Sequence, residues 1–227
     1  EADVRLDRPA CLTKLLHRPT AWSLLAEPCD LLELHVDGRK AEEFESGRPA
    51  GEGGQGEENC WQYRLRRVPG LRVDVRISRG EGAPPSEAAR AMGKLSDDLL
   101  YLQVAVLNGD TKPHSIHLVA PRIGPFSLCE RPEDAYYLVP KCGSAFDNRP
   151  CSYRQRYCGL FPVQFLHAFS PATGRGLVLQ TTGGPEDLAE RYYVLDKKGG
   201  TFRMAVEYPE RTLGPGEGFR TVPAILR

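Results

Sequence analysis

The strongest constraint in this chain is a two-residue alternation of apolar and polar side chains. Over 71–77, Leu71, Val73, Val75 and Ile77 alternate with Arg72, Asp74 and Arg76. An extended strand sends successive side chains to opposite faces, so it buries the first set while wetting the second. The same period recurs in Leu32, Leu34 and Val36 against Glu33 and His35, and in Phe202, Met204, Val206 and Tyr208 against Arg203 and Glu207. The stretch 99–107 is apolar on both sides, which predicts a central strand covered on both faces. Further strands are expected over 60–68, 115–119, 162–169, 176–181, 191–195 and 219–226.

Turn residues punctuate these runs: Asp37-Gly38, Pro69-Gly70, Asn108-Gly109-Asp110, Ser170 to Gly174, and Lys197-Lys198-Gly199-Gly200. The Asn108 turn predicts 115–119 as the hairpin partner of 99–107. One short helix is expected, capped by Ser86 and ended by Gly93. About ten strands with frequent Gly/Pro turns define an all-β chain, a large antiparallel β-sandwich.

Its 227 residues are expected to form a single sandwich domain. Residues 41–59 hold six glutamates and one arginine among many glycines, and are expected to form a mobile acidic loop. Lys+Arg and Asp+Glu are both 30, so the chain lacks the net positive charge of a nucleic-acid binder. No apolar run approaches the roughly 20 residues that span a membrane. The chain opens on Glu1 without a methionine and stops at Ile225-Leu226-Arg227, as expected for a domain excised from a longer protein.

The seven cysteines are an odd number, so at least one thiol stays unpaired if the rest are bridged. Cys142, Cys151 and Cys158 are close enough to bridge one another; the alternative is a set of small buried apolar residues. No C-x-x-C occurs, and the spacings around Cys129, Cys142, Cys151 and Cys158 match no common zinc site. His114 and His117, three apart on a strand, point to opposite faces and do not chelate one ion. No metal and no cofactor are expected.

The candidate site is the polar stretch 141–164, which reads as a long irregular loop between strands. Loops of this length in compact domains carry function. Tyr153 and Tyr157 supply ring faces, while Asn148, Arg149, Arg154, Arg156 and Gln164 supply planar hydrogen-bonding groups. Rings plus a few placed donors and acceptors suit a carbohydrate. Lys141, Arg149, Arg154 and Arg156 outweigh Asp147, which extends the ligand class to acidic sugars. A catalytic reading would pair His167 with Glu130 or Asp147, but His167 between Phe165 and Phe169 reads as a hydrogen-bonded core histidine.

From Leu99 onward a set of short motifs accumulates: Leu138-Val139-Pro140, Ser152-Tyr153-Arg154, Tyr157-Cys158-Gly159, Phe161 to Phe165, Gly174 to Leu179, Val206-Glu207-Tyr208-Pro209 and Pro215 to Phe219. This run resembles the N-terminal β-supersandwich (galactose-mutarotase-like) domain of large bacterial glycoside-hydrolase-like proteins. It departs from that pattern in carrying Cys158 before Gly159, where proline is more usual. The resemblance implies a non-catalytic carbohydrate-binding or accessory domain, secreted or periplasmic, with a catalytic barrel in the same polypeptide. The alternatives are a mutarotase-like or glycan-cleaving enzyme and a purely structural domain packed on that barrel. Catalytic carboxylates are expected on the barrel, so no catalytic residue is assigned to this chain.

Overall fold

The computed structural model describes residues 2–5, 10–45, 48–49, 60–79, 99–140, 145–157, 164–182 and 190–227. The helix expected after Ser86, most of the acidic segment, Cys142, Cys158 and Phe161 lie outside the described residues. In chain order the first strands are β1 (Ala2–Arg5), β2 (Cys11–His17), β3 (Trp22–Ser23), β4 (Cys29–Asp30), β5 (Glu33–Val36), β6 (Arg39–Lys40), β7 (Arg48–Pro49), β8 (Cys60–Arg64), β9 (Leu71–Arg79) and β10 (Leu100–Asn108). They continue as β11 (His114–Ser127), β12 (Tyr136–Val139), β13 (Ala145–Asp147), β14 (Cys151–Arg156), β15 (Phe165–Ser170), β16 (Arg175–Thr181), β17 (Tyr192–Lys198), β18 (Thr201–Leu213), β19 (Gly218–Arg220) and β20 (Ala224–Leu226). Among the described residues the helical pieces are two 3-10 turns, Arg18–Thr20 and Pro132–Asp134.

Among the described residues every strand pairing is antiparallel. Ten strands form one sheet in the order β13-β12-β15-β16-β20-β10-β9-β8-β7, with β19 also pairing β10. Six form a second, β14-β17-β18-β11-β5-β6, and β1 to β4 make a small third sheet. The inner faces of the two large sheets share one core: Val73, Val75, Val104 and Leu179 from the first meet Ile116, Leu118, Phe202, Met204 and Val206 from the second. Burying each such side chain contributes about 1.5–3 kcal/mol. The expected all-β sandwich is the observed architecture.

Three expectations change. The strand after the Asn108 turn does not pair with β10; β11 belongs to the other sheet, between β18 and β5. The reason is the buried Asn108 side chain. Its Nδ2 donates to the carbonyls of Lys112 and Leu213, while its Oδ1 accepts the Asp110 N–H. The turn therefore ties the end of β10 to the end of β18, and the chain steps across the sandwich.

Strand β11 runs to Ser127, well past 119, because its two prolines fall where its register against β18 shifts. A proline has no N–H to give a ladder and is tolerated at such irregularities. Gly124 has φ +108, and a Cβ there would lie 2.5 Å from the Phe202 carbonyl oxygen, so this close approach requires glycine.

The expected irregular loop 141–164 contains β13 and β14. Strand β14 hid its period because its inward residues, Cys151, Tyr153 and Gln155, are amphipathic rather than plainly apolar. Cys29, Cys60, Cys129 and Cys151 are free thiols, so no bridge uses Cys151.

Candidate functional site

Alternation along β14 divides the seven candidate residues. Cys151, Tyr153 and Gln155 are half-buried, whereas Ser152, Arg154 and Arg156 are exposed. Tyr153 packs edge-on against Tyr137, with ring centroids 5.8 Å apart. Tyr157 lies edge-on to Tyr193 at 6.3 Å and has the Arg191 guanidinium 4.1 Å over its ring. Its hydroxyl accepts Gln164 Nε2 at 3.0 Å, and Gln164 Oε1 accepts Thr181 Oγ1 at 2.9 Å and Arg191 Nη2 at 2.8 Å. Thr181 and Tyr193 share a further hydroxyl bond. Tyr153, Tyr157 and Gln164 thus face the sandwich interior and brace it.

Asn148 and Arg149 sit in the turn between β13 and β14. Asp147 Oδ1 accepts both of their backbone N–H groups, and the Arg149 side chain reaches Oδ2 through Nε at 2.7 Å. The Arg149 guanidinium beside Asp147 lowers that carboxyl's pKa to about 2. Asn148 Nδ2 donates to the Glu133 carbonyl, and the Asn148 carbonyl accepts buried Lys197 Nζ at 2.6 Å. Burial pushes the Lys197 pKa down.

Arg154 and Arg156 point the other way, onto the outer face of the six-stranded sheet. There Arg154 begins a row that crosses five strands. Its guanidinium lies 3.6 Å over the Tyr192 ring on β17 and takes both oxygens of Glu207 on β18, Nε to Oε2 at 2.8 Å and Nη2 to Oε1 at 2.9 Å. His117 Nε2 on β11 also bonds Glu207 Oε1, at 3.0 Å. His117 is the cross-strand partner of His35 on β5, and their rings meet edge to face at 5.6 Å. His35 Nε2 bonds Glu33 Oε1 at 3.0 Å, and Lys40 and Arg122 approach Glu33 Oε2 at 3.7 and 3.8 Å. Arg156 pairs with Glu190 at 3.0 Å beside the row.

The charges fix the protons. The Arg154 hydrogen bond is the chief cause that lowers the Glu207 pKa, with His117 adding to it. Burial opposes ionisation of Glu33, but the His35 hydrogen bond and the Arg122 and Lys40 charges outweigh it and its pKa is lowered. An ionised carboxylate only accepts, so both histidines donate through Nε2. The row therefore offers guanidinium and imidazole groups, carboxylate acceptors and one aromatic ring on an open sheet face.

A second aromatic surface lies on the outer face of the ten-stranded sheet. Tyr136, Phe146 and Phe169 stack with centroids 5.5 to 6.1 Å apart, and Phe146 is 59% exposed. His167 stacks on Phe169 at 4.7 Å, and burial lowers its pKa. It is thus an outer-face histidine rather than a hydrogen-bonded core one. Asp147 is committed to Arg149. Among the described residues no group of histidine, cysteine, aspartate and glutamate is arranged to hold a metal ion.

No protein-family model matches this sequence, and no curated protein matches it. Among solved structures, the chain is similar to the GH36 α-galactosidase AgaB from Geobacillus stearothermophilus, with TM-score 0.53, 9% identity, and 87% of this chain matched to 29% of that one. It is equally similar to the α-galactosidase AgaA from the same organism in complex with raffinose: TM-score 0.53, 10% identity, 87% of this chain and 30% of that chain. The α-galactosidase from Lactobacillus brevis follows at 0.50 and 11%, with coverages of 87% and 28%. The chain has the β-supersandwich fold of these enzymes. It spans under a third of the length of each, and at such identities the likeness is one of fold.

Within the supersandwich, sequence reasoning found Arg154 and Arg156 but missed their partners. The signal for those was present. His35 and Glu207 stand at outward positions of alternating strands, and His117 must lie opposite His114. What no strand shows by itself is that β18 and β11 bring Glu207 and His117 side by side.

Proposed function

We propose that this supersandwich is a carbohydrate-binding accessory domain of a glycoside-hydrolase-like protein, acting beside a catalytic domain in the same polypeptide. The observation that carries the proposal is the Arg154–Tyr192–Glu207–His117–His35–Glu33 row. Sugar rings present hydroxyls that both donate and accept, over patches of C–H surface. The row supplies fixed donors, fixed acceptors and a ring edge, held by mutual hydrogen bonds before any ligand arrives, so little ordering cost remains. The aromatic surface of the other sheet supplies stacking area with fewer polar groups.

A second reading is an enzyme that moves protons on a sugar. Two histidine–carboxylate pairs whose rings lie 5.6 Å apart favour it, because general acid–base chemistry needs one group of each kind near the same substrate. Against it, the two-pronged Arg154 contact holds Glu207 ionised and occupied.

Glycan-array screening followed by titration tests the binding reading. Wild-type protein is expected to select a glycan, and Arg154→Ala and Tyr192→Ala each to weaken it about tenfold, or ~1.4 kcal/mol. Turnover of the bound glycan by this chain alone would favour the enzymatic reading. A bound glycan indifferent to both substitutions would remove the row from the site.

A further inference from the structure

The chain has no net charge, yet its charges are not evenly spread. Strands β8, β9, β10 and β19 lie side by side in the ten-stranded sheet. Their outward side chains include Arg64, Arg72, Arg76 and Arg220, and the one carboxylate in all four strands is Asp74. Register sets Arg64 opposite Arg72, Cys60 opposite Arg76, Arg76 opposite Gln103, and Asp74 opposite Ala105, which itself faces Arg220. Arg72 Nε lies 3.0 Å from Asp74 Oδ1, so the aspartate's charge is met from within the patch.

Between these side chains is a shallow, open cleft of about 40 Å³, lined by Cys60, Asp74, Arg76, Gln103, Ala105 and Arg220. Arg76 and Arg220 stand on either side of β10, opposite Gln103 and Ala105, so two strand spacings across and two residue rises along put their backbones about 12 Å apart. Gln103 Nε2 donates to the Thr221 carbonyl, which fixes the amide and leaves its oxygen the acceptor end. Like-charged arginines set opposite one another repel. Holding two, Arg76 and Arg220, beside one cleft favours an anion between them.

We propose that this cleft is an anion subsite for an acidic carbohydrate, in which Arg76 and Arg220 take a carboxylate or sulfate group of the glycan and Gln103 accepts from a neighbouring hydroxyl. Guanidinium forks match planar carboxylate and tetrahedral sulfate oxygens through paired N–H donors. At about 40 Å³ the cleft takes the charged substituent alone, and the sugar ring that carries it would lie on the open sheet face. The proposal rests on the carbohydrate-binding reading, but it lies on the opposite sheet from the Arg154 row, so the two fail separately.

The test is titration of the 227-residue chain with an oligogalacturonate, a sulfated dextran fragment and unsubstituted dextran at two salt concentrations. The wild-type protein is expected to bind at least one of the acidic glycans, more weakly at higher salt. Whichever is bound identifies the anionic group. Arg76→Ala with Arg220→Ala should lower that affinity at least tenfold, while removal of an exposed charge on the other sheet, Lys198→Met, leaves it unchanged. Both positions are exposed, and circular dichroism melting checks the fold; if the double variant melts early, Arg76→Gln alone should still lower the affinity. Three results would overturn the proposal: no binding of either acidic glycan, acidic binding indifferent to Arg76 and Arg220, or equal binding of a single-stranded oligonucleotide, which would mark a general polyanion surface. Loss of neutral-glycan binding in Arg154→Ala bears on the first site alone.

Discussion

Arg154 and Glu207, on strands separated by β17, form a two-pronged ion pair over the face of Tyr192. Glu207 keeps 17% of its side chain exposed, so the pair is half-desolvated and geometrically fixed. It also orients His117. Replacing Glu207 by Gln is therefore expected to cost about 1–2 kcal/mol, at the upper end for a partly exposed pair. Arg154→Ala should cost less, about 0.5–1 kcal/mol, because the exposed arginine leaves a carboxylate that water can reach. Urea denaturation of both single variants and the double variant measures the coupling.

The pH dependence of stability should show a corner bridge. His114 bonds Asp37 Oδ2 through Nδ1 at 2.8 Å and Asp110 Oδ2 through Nε2 at 3.2 Å. Its pKa is raised chiefly by the Asp37 hydrogen bond, and the pKa values of both aspartates are lowered chiefly by His114. The histidine's contribution is complete below its unfolded pKa of about 6.5 and is lost as pH rises through the raised folded value. The carboxylates' contribution is present above about pH 4 and is lost as pH falls through their lowered values. The melting temperature should fall between pH 6 and pH 8.5 more steeply for the wild type than for His114→Gln. Parallel curves would contradict the bridge.

Lys197 is 2% exposed and donates to the carbonyls of Pro132 and Asn148 at 3.1 and 2.6 Å. Lys197→Met keeps the stem and strands both acceptors, so a loss of about 2–4 kcal/mol is expected. The exposed neighbour Lys198→Met should stay within about 0.5 kcal/mol. Chemical denaturation compares the two.

Tyr157→Phe removes the hydroxyl that accepts Gln164 Nε2. The expected loss is about 1 kcal/mol of stability with unchanged glycan affinity, since the ring faces the interior brace. A loss of affinity without a loss of stability would return Tyr157 to the binding surface.

Strands were legible wherever one face was plainly apolar, as in Leu71, Val73, Val75 and Ile77. They were not legible in β14, where Tyr153 and Arg154 both read as site residues although the strand turns them to opposite faces. A turn signal such as Asn108-Gly109-Asp110 fixes where the chain reverses, not which strand it next pairs with. That choice came from Asn108 bonding to Leu213, a contact 105 residues away. The row itself is a product of register: His117 meets His35 and Glu207 only because β11 is flanked by β5 and β18. Sequence periodicity assigns a face to each residue, and cross-strand neighbours must come from the fold.

The five histidines divide the surfaces cleanly: His35 and His117 in the row, His114 in the corner, His167 on the aromatic face of the other sheet, and His17 on β2. Imidazole NMR signals followed during titration with a glycan selected from an array therefore read the site directly. The account predicts that His35 and His117 shift with saturation while His167 and His17 stay still. Movement of His167 with His35 and His117 unchanged would contradict it and place the sugar on the opposite sheet.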